Sequence, residues 1–323
     1  MQKRTRGASL PFPTETETLD REFLNAVWEG LSATPKTLPC RYFYDARGSA
    51  LFEDITRLPE YYLTRAEIEL IDRYGHEIAR HFAEGSVLVE FGSGSSRKTL
   101  PLLRAASQLA GYIPLDISAA AVFPAADRIR EAMPGLRVAP ALADFNAPFE
   151  LPAWARLKRL AGFFPGSTLG NFRPEEARAF LERARRILGP GASFIIGIDL
   201  QKPLDVLLPA YNDGGGVTAA FNLNILTRIN RELGADFDLD SFVHDALFNA
   251  VEGRIEMHLV SKCQQDVNVA GRVFEFAEGE TIHTENSHKY TVEGFAELAR
   301  QAGWKISECW TGPQKLFAIF ALA

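Results

Sequence analysis

The residues best placed to do chemistry in this sequence form a short glycine loop that follows an apolar run. Residues 87–89 have the composition of a strand buried on both faces, and Gly92 and Gly94 come shortly after them. Two glycines let the backbone pass close to a ligand where a Cβ atom would collide. The first amides of the helix expected next would offer hydrogen-bond donors. The loop therefore predicts a site for a nucleotide-like cofactor.

The same loop departs from the dinucleotide-binding pattern G-x-G-x-x-G, because Arg97 stands where the third glycine would be. That third glycine allows tight helix packing beneath a pyrophosphate. Glu90, directly ahead of the loop, would repel a pyrophosphate but would suit a sulfonium or an amino-acid group. S-adenosylmethionine is therefore favoured over NAD as the cofactor. A tight strand-to-helix turn that binds no ligand is the alternative.

Acidic residues also end the next two predicted strands. Asp116 is placed to accept hydrogen bonds from both ribose hydroxyls of an adenosine group, or else to cap the helix expected from Ser118. Asp144 and Phe145 follow the third strand. There a carboxylate could accept hydrogen bonds from the adenine amino group while the ring packs on the base. Together with the glycine loop, these residues favour an adenosine-containing ligand.

Two later segments carry polar residues that could hold a substrate. Asn171 follows the fourth predicted strand, and its neutral amide suits an amine that must be uncharged to attack a methyl group, or simply makes a turn. If residues 281–287 are extended, Glu285, Ser287 and His283 point to one face. A carboxylate beside a hydroxyl would grip a ring with one N–H donor and one acceptor nitrogen. A solvated polar strand is the alternative.

Other kinds of site are disfavoured. Asp236, Asp238 and Asp240 begin like a calcium loop, but Ser241 replaces the required glycine and Leu247 the final glutamate. The six histidines show no H-E-x-x-H spacing, and neither C-x-x-C nor G-x-S-x-G occurs. The sequence therefore predicts neither a metal site nor a serine hydrolase.

Composition indicates an ordinary globular protein, with 323 residues, 46% of them apolar and 24% charged. A net charge of −6 argues against a nucleic-acid partner. There is no apolar run of the roughly 18–20 residues that span a membrane, and no secretory signal. Three widely spaced cysteines, Cys40, Cys263 and Cys309, are expected to be reduced. We expect a cytoplasmic monomer.

The elements that position these residues follow from the apolar pattern. Residues 65–200 alternate between strands and helices, which indicates a parallel sheet with helices on both faces. Thr64 and Glu67 predict a capping box for the helix that precedes the sheet. The predicted strands are 87–91, 112–115, 136–141, 160–164 and 192–199, and the predicted helices lie near 97–109, 118–132 and 174–188.

After Asp199 the pattern indicates a separate α+β element. It begins with an irregular stretch over 204–216, and then come a helix over 218–233, a helical stretch near 240–250 and strands around 255–259, 267–269 and 273–276. A helix over 292–301 and two closing strands would complete the main sheet. Such a sheet, with its last strand inserted antiparallel, is the α/β, Rossmann-like sheet of class I methyltransferases.

Taken together, the motifs resemble the histidine-specific S-adenosylmethionine-dependent methyltransferases. Enzymes of that family trimethylate the α-amino group of L-histidine to hercynine for ergothioneine synthesis. The resemblance covers about residues 40–290 and rests on F-Y-D-A-R-G-S, L-P-E-Y-Y-L-T-R-A-E, E-F-G-S-G-S-S-R-K-T, Y-I-P-L-D-I-S, G-S-T-L-G-N-F, A-Y-N-D-G-G-G and E-N-S. It implies a methyltransferase domain of 65–200 with 290–323 and a substrate domain of 19–64 with 201–289. The Thr, Pro, Glu and Arg content of residues 1–18 predicts a flexible segment there.

The resemblance also implies individual roles, with Tyr44 and Asn171 as the catalytic pair. At the cofactor it implies Gly92 and Lys98 beside the amino-acid end, Asp116 on the ribose, and Asp144 with Phe145 at the adenine. Around the substrate it implies Tyr44 near the amine, Tyr61 and Tyr211 at the carboxylate, Asn171 at both the carboxylate and the amine, Glu285 and Ser287 bracketing the imidazole, and Met257 in the ring's wall. A tryptophan-like substrate, a non-catalytic cofactor-binding regulator and an NAD-dependent oxidoreductase are the other interpretations.

Overall fold

The computed structural model describes residues 15–323. The α-helices are α1 (Glu15–Ser32), α2 (Ala46–Ile55), α3 (Tyr62–Ala79), α4 (Thr99–Ala105), α5 (Ala119–Ala132), α6 (Ala153–Arg156), α7 (Pro174–Leu188), α8 (Leu204–Tyr211), α9 (Val217–Leu233) and α10 (Val292–Gln301). Short 3₁₀ helices lie at Cys40–Phe43, Thr168–Asn171 and Leu239–Ser241.

The β-strands are β1 (Lys36–Thr37), β2 (Val87–Phe91), β3 (Gly111–Asp116), β4 (Arg137–Val138), β5 (Ala141–Leu142), β6 (Leu160–Phe164), β7 (Ser193–Asp199), β8 (Phe242–Asn249), β9 (Arg254–Ser261), β10 (Gln265–Val269), β11 (Arg272–Phe276), β12 (Thr281–His288), β13 (Ile306–Thr311) and β14 (Phe317–Leu322). They form one large sheet, one four-stranded sheet and one hairpin.

The large sheet has the order β4-β3-β2-β6-β7-β14-β13, and β5 also pairs with β3. Its strands are parallel except β14, which runs antiparallel between β7 and β13. The predicted class I methyltransferase fold is therefore confirmed. Side chains of β2 are buried on both faces because Val87 and Val89 pack towards α7 and α10, whereas Leu88 packs towards α3 and α4.

The four-stranded sheet has the order β1-β12-β9-β8, and β10 and β11 form a separate antiparallel hairpin. These strands share a hydrophobic core with α1, α2, α8 and α9, apart from the two cores that flank the large sheet. Separate cores support the two-domain division that we propose. Of the segment 1–18 predicted to be flexible, residues 1–14 lie outside the described residues, and residues 15–18 belong to α1.

Most predicted helices and strands are confirmed, and the observed bounds of β2, β6, α7 and α10 equal the predicted ones. The helical stretch predicted near 240–250 was wrong, because the chain there is β8. Burial alternates along this strand, but the outward positions Val243 and Leu247 are apolar, 46% and 39% exposed, which hides the period of two. The predicted irregular stretch contains α8.

The predicted capping box of α3 was also wrong. The helix begins at Tyr62, one turn earlier than expected, and Thr64 lies inside its first turn. The Glu67 carboxylate is fully buried and accepts hydrogen bonds from the amide of Gly166 at 2.9 Å. It also pairs with the Lys98 ammonium at 2.8 Å. Glu67 therefore supports the loop after β6 rather than the start of its own helix.

Candidate active site

A cavity of about 680 Å³ opens between the carboxyl ends of the parallel strands and the four-stranded sheet. Of the residues predicted from the sequence, its lining includes Tyr44, Tyr61, Gly92, Asp116, Phe145, Asn171, Tyr211, Met257, Glu285 and Ser287. Lys98 and Asp144 are not among the lining residues. The fold therefore brings together side chains from both sheets, in a volume typical of small-molecule sites.

The glycine loop after β2 is shaped for close approach to a ligand. Gly92 and Gly94 have φ angles of +68° and +49°, which favour glycine. A Cβ atom on Gly92 would also lie 3.4 Å from the Phe145 ring. Asp116, at the end of β3, accepts hydrogen bonds from the Gly94 amide at 2.8 Å and the Ser118 amide at 2.9 Å.

This arrangement fits the adenosine part of S-adenosylmethionine. Each Asp116 oxygen has one backbone donor and therefore keeps a further lone pair for a ribose hydroxyl at the cavity. Burial raises the pKa of this carboxyl, while the backbone donors favour its charged form. Phe145 presents an aromatic surface to the same cavity and is held edge-on by Phe164 and Phe180, with ring centroids 5.6 and 5.5 Å from its own.

Glu90 does not line the cavity, although direct repulsion of a pyrophosphate would require it to do so. Its buried carboxylate accepts hydrogen bonds from the Thr99 hydroxyl at 2.6 Å and from the Tyr112 hydroxyl. Burial raises its pKa to about 8. The Tyr112 hydroxyl lies 2.9 Å from that of Ser96. Glu90 therefore braces the loop from beneath, and the idea that it repels a pyrophosphate directly was wrong.

The two remaining cofactor predictions lie just outside the lining. Lys98 pairs with Glu67 beneath Gly166, where a Cβ atom would stand 3.1 Å from the lysine nitrogen. One oxygen of Asp144 accepts from the Asn146 amide at 2.7 Å, and the other lies 3.3 Å from the Arg41 guanidinium. Their proposed contacts with the cofactor stay predictions.

Tyr44 is positioned by the turn that begins α2. Asp45 caps this helix by accepting from the Gly48 amide at 2.7 Å, and Asn224 of α9 donates to the same carboxylate at 2.9 Å. A Cβ atom on Gly48 would lie 1.7 Å from the Phe43 carbonyl oxygen, so the turn requires glycine. The F-Y-D-A-R-G-S motif thereby fixes the tyrosine ring against Phe221, 5.7 Å between centroids.

A β-bulge in β12 decides which side chains reach the cavity. The register with β9 shifts between His283 and Glu285, so His283 pairs with His258 and Glu285 with Met257. Glu285 and Met257 line the cavity, whereas His283 stacks on His258 at 4.8 Å. The prediction that His283 shares the face of Glu285 was wrong, because one extra residue in a strand reverses the alternation.

Asn171 and Glu285 meet across the two sheets. The amide nitrogen of Asn171 donates to one Glu285 oxygen at 2.9 Å, which leaves the Asn171 carbonyl and the second carboxylate oxygen for a ligand. Burial raises the pKa of Glu285 to about 7, against the lowering effects of Lys289 and Asn171. This carboxyl therefore titrates near neutral pH.

The cavity also presents three tyrosine hydroxyls, of Tyr44, Tyr61 and Tyr211. Burial raises the pKa of each phenol well above its usual value, so each remains a hydrogen-bond donor. The rings of Tyr61 and Tyr211 lie edge to face, with centroids 6.3 Å apart. Aromatic faces of this kind can also contact a cationic ligand group.

Sequence reasoning missed a buried polar cluster behind Ser287. The Ser287 and Tyr211 hydroxyls are 2.7 Å apart, and the Lys289 ammonium lies 2.7 Å from each of them. Lys289 is also 2.7 Å from Asp199, the last residue of β7. Lys289 directly follows β12, and its spacing of two from Ser287 was a signal that it approaches the same side chains.

Comparisons with known proteins identify the family of this chain. Residues 23–323 match the family described as histidine-specific methyltransferase, SAM-dependent. The chain is 42% identical to the histidine N-alpha-methyltransferase of Mycolicibacterium smegmatis, covering 90% of this chain and 91% of that protein. It is 41% identical to the histidine N-alpha-methyltransferase of Mycobacterium tuberculosis, covering 88% and 89%. The Aspergillus fumigatus N-methyltransferase fsqC is 27% identical, covering 90% and 81%. This chain therefore belongs to the histidine-specific, S-adenosylmethionine-dependent methyltransferases.

Proposed function

We propose that this protein trimethylates the α-amino group of L-histidine to hercynine, a step of ergothioneine biosynthesis, with S-adenosylmethionine as methyl donor. The observation that carries the proposal is the pair Glu285 and Ser287, side by side on β12 in the cavity that also holds Asp116 and the glycine loop. The family membership and the two histidine N-alpha-methyltransferases at over 40% identity support it independently.

The imidazole is recognised through its two different nitrogens. The free oxygen of Glu285 accepts a hydrogen bond from the ring N–H, and the Ser287 hydroxyl donates to the unprotonated nitrogen. Met257, cross-strand neighbour of Glu285, supplies an apolar wall. An indole has only a donor, so this pair favours histidine over a tryptophan-like substrate. Another amino acid is nevertheless the second candidate that the test below includes.

The amino-acid end meets groups that suit a carboxylate and a neutral amine. Tyr61 and Tyr211 remain protonated and can donate to the carboxylate. Asn171 already donates its N–H to Glu285, so its carbonyl is the atom that can accept from the amine. The Tyr44 hydroxyl lies in the same lining. Together these groups orient the nitrogen lone pair towards the cofactor.

S-adenosylmethionine, when bound, supplies an electrophilic methyl group on a sulfonium. The protein contributes by holding the amine in line with that methyl and by excluding water, which lowers the entropic part of the barrier. The amine must shed its proton on binding, and a nearby positive charge disfavours the ammonium form. The faces of Tyr44 and Tyr61 can accommodate the cation that accumulates over three transfers.

The test is methyl transfer by the purified protein to a panel of L-amino acids that includes histidine and tryptophan, with products resolved by mass spectrometry. We expect mono-, di- and trimethylated histidine and little transfer to tryptophan. Preferential methylation of tryptophan would contradict the proposal that histidine is the substrate. Absence of methyl transfer to any amine would contradict the proposed activity.

The proposal also covers the oligomeric state, the location and the domain division of the protein. No helix of the described residues is long and apolar enough to cross a membrane. We expect the protein to act as a monomer in the cytoplasm, with the two-domain division given above. Sedimentation at micromolar concentration tests the oligomeric state.

A further inference from the structure

Lys289 lies at the centre of the buried polar cluster behind Ser287. The Lys289 side chain is 1% exposed, and its nitrogen lies 2.7 Å from each of three oxygens, on Asp199, Tyr211 and Ser287. An ammonium has three hydrogens and no acceptor. Each hydrogen therefore has one partner, and both hydroxyl oxygens receive a hydrogen bond from the lysine.

These hydrogen bonds from Lys289 determine how the Tyr211 and Ser287 hydroxyls can contact a ligand. Tyr211 and Ser287 are 2.7 Å apart, so one of them donates to the other. The oxygen that accepts from both Lys289 and its neighbour keeps its own hydrogen for a ligand. When a ligand offers two acceptors, both hydroxyl hydrogens can turn to it, since Lys289 still occupies their oxygens. The hydroxyl that donates to its neighbour keeps one lone pair, but the Lys289 ammonium 2.7 Å from that oxygen disfavours a cationic donor there.

We propose that Lys289 is a positioning residue that keeps the Tyr211 and Ser287 hydroxyls as hydrogen-bond donors towards the amino-acid substrate. The site therefore selects acceptor groups, an unprotonated ring nitrogen and a carboxylate oxygen, and discriminates against an imidazolium. This inference rests on the proposed function, in which those two hydroxyls hold histidine.

The surrounding charges support an ionised Lys289. Asp199 is fully buried and is shared with a second ammonium, Lys202, at 2.6 Å and with the Tyr62 hydroxyl at 2.7 Å. Burial lowers the pKa of Lys289, but the negative charges of Asp199 and Glu285 oppose that lowering. Lys202 donates to Tyr62, Asp199 and the Leu200 carbonyl, and not to the Tyr211 or Ser287 hydroxyl.

Lys202 therefore provides a matched control. We would measure KM and kcat for L-histidine at saturating S-adenosylmethionine, and the Kd of S-adenosylhomocysteine, for Lys289→Met, Lys289→Gln and Lys202→Met. Lys289→Met should raise the histidine KM at least about tenfold, whereas the Kd of S-adenosylhomocysteine should change less than about twofold. Lys289→Gln keeps N–H donors and should recover part of the loss. Lys202→Met should change the histidine KM less than about threefold.

A double-mutant cycle between Lys289 and Ser287 distinguishes a positioning role from a purely structural one. Ser287→Ala should cost less in histidine KM when added to Lys289→Met than when added to the wild type. An unchanged KM in Lys289→Met, an equal loss in Lys202→Met, or full additivity with Ser287→Ala would each overturn the inference. If Lys289→Met fails to fold in a thermal melt, Lys289→Gln and Lys202→Gln carry the same comparison. A wild-type protein that does not methylate histidine would overturn the proposed function as well, whereas active wild type with unaffected Lys289 variants overturns this inference alone.

Discussion

Replacing Glu285 with glutamine tests the proposed imidazole contact without changing the size of the side chain. One oxygen of Glu285 already accepts from Asn171, so the other position would become an amide NH₂ that faces the ring N–H. A charge-assisted hydrogen bond contributes about 1.5–3 kcal/mol, which corresponds to about a 10- to 150-fold loss in kcat/KM for histidine. Glu275→Gln, the same charge change at an exposed position of β11, should leave kcat/KM within about twofold.

The pH dependence of kcat/KM provides a second test of the Glu285 contact. The pKa of Glu285 is raised to about 7 by burial, so the carboxylate that accepts the N–H is present above that pH and lost below it. The ratio of wild-type to Glu285→Gln kcat/KM should therefore be constant above pH 7. Below pH 7 it should fall about tenfold per unit towards one. Taking the ratio cancels the titration of histidine itself.

The assay is initial-rate methyl transfer to histidine between pH 5.5 and 9 with saturating S-adenosylmethionine. Binding of S-adenosylhomocysteine by calorimetry checks that the variant retains its cofactor site. A ratio near one at every pH, or a large ratio without pH dependence, would refute the reasoning that the Glu285 carboxylate holds the imidazole.

Three further changes have expected outcomes. Asp116→Asn should weaken S-adenosylhomocysteine binding about tenfold in calorimetry, because a neutral amide is a poorer ribose acceptor; an unchanged Kd would contradict that contact. Tyr61→Phe should raise the histidine KM about 5- to 20-fold and leave cofactor binding unchanged, which steady-state kinetics can check. Glu67→Ala should lower the free energy of unfolding in urea by about 2–3 kcal/mol, since the buried Gly166 amide loses its acceptor, whereas exposed Glu69→Ala should cost under about 0.5 kcal/mol; equal losses would contradict the buried role.

Much of the large sheet could be predicted because its signals are local. The apolar runs of β2 and β6 have lengths and flanking turns that favour a buried strand over a helix, and α7 shows a clear helical period between Pro174 and Gly189. The glycine loop and Asp116 could be placed at one edge because the carboxyl ends of parallel strands meet there.

The errors arose where distant contacts override local preference. Glu67 has the spacing of a capping residue, but its partner is the Gly166 amide, 99 positions away. In β8 two exposed apolar residues hide the alternation. The bulge after His283 changes the face of that side chain, and nothing in the local composition marks one extra residue in a strand.

The sequence by itself determined the family, the cofactor loop and ten of the residues that line the cavity, because these depend on residue types and short spacings. Only the tertiary structure decided how those residues act on one another. Asn171 meets Glu285 across 114 positions, and the Tyr62 hydroxyl reaches Asp199 across 137. The role of Lys289 depends on hydrogen-bond partners supplied by three separate elements. A hydrogen bond requires atoms within about 3 Å, and chain folding alone brings such distant positions to that distance.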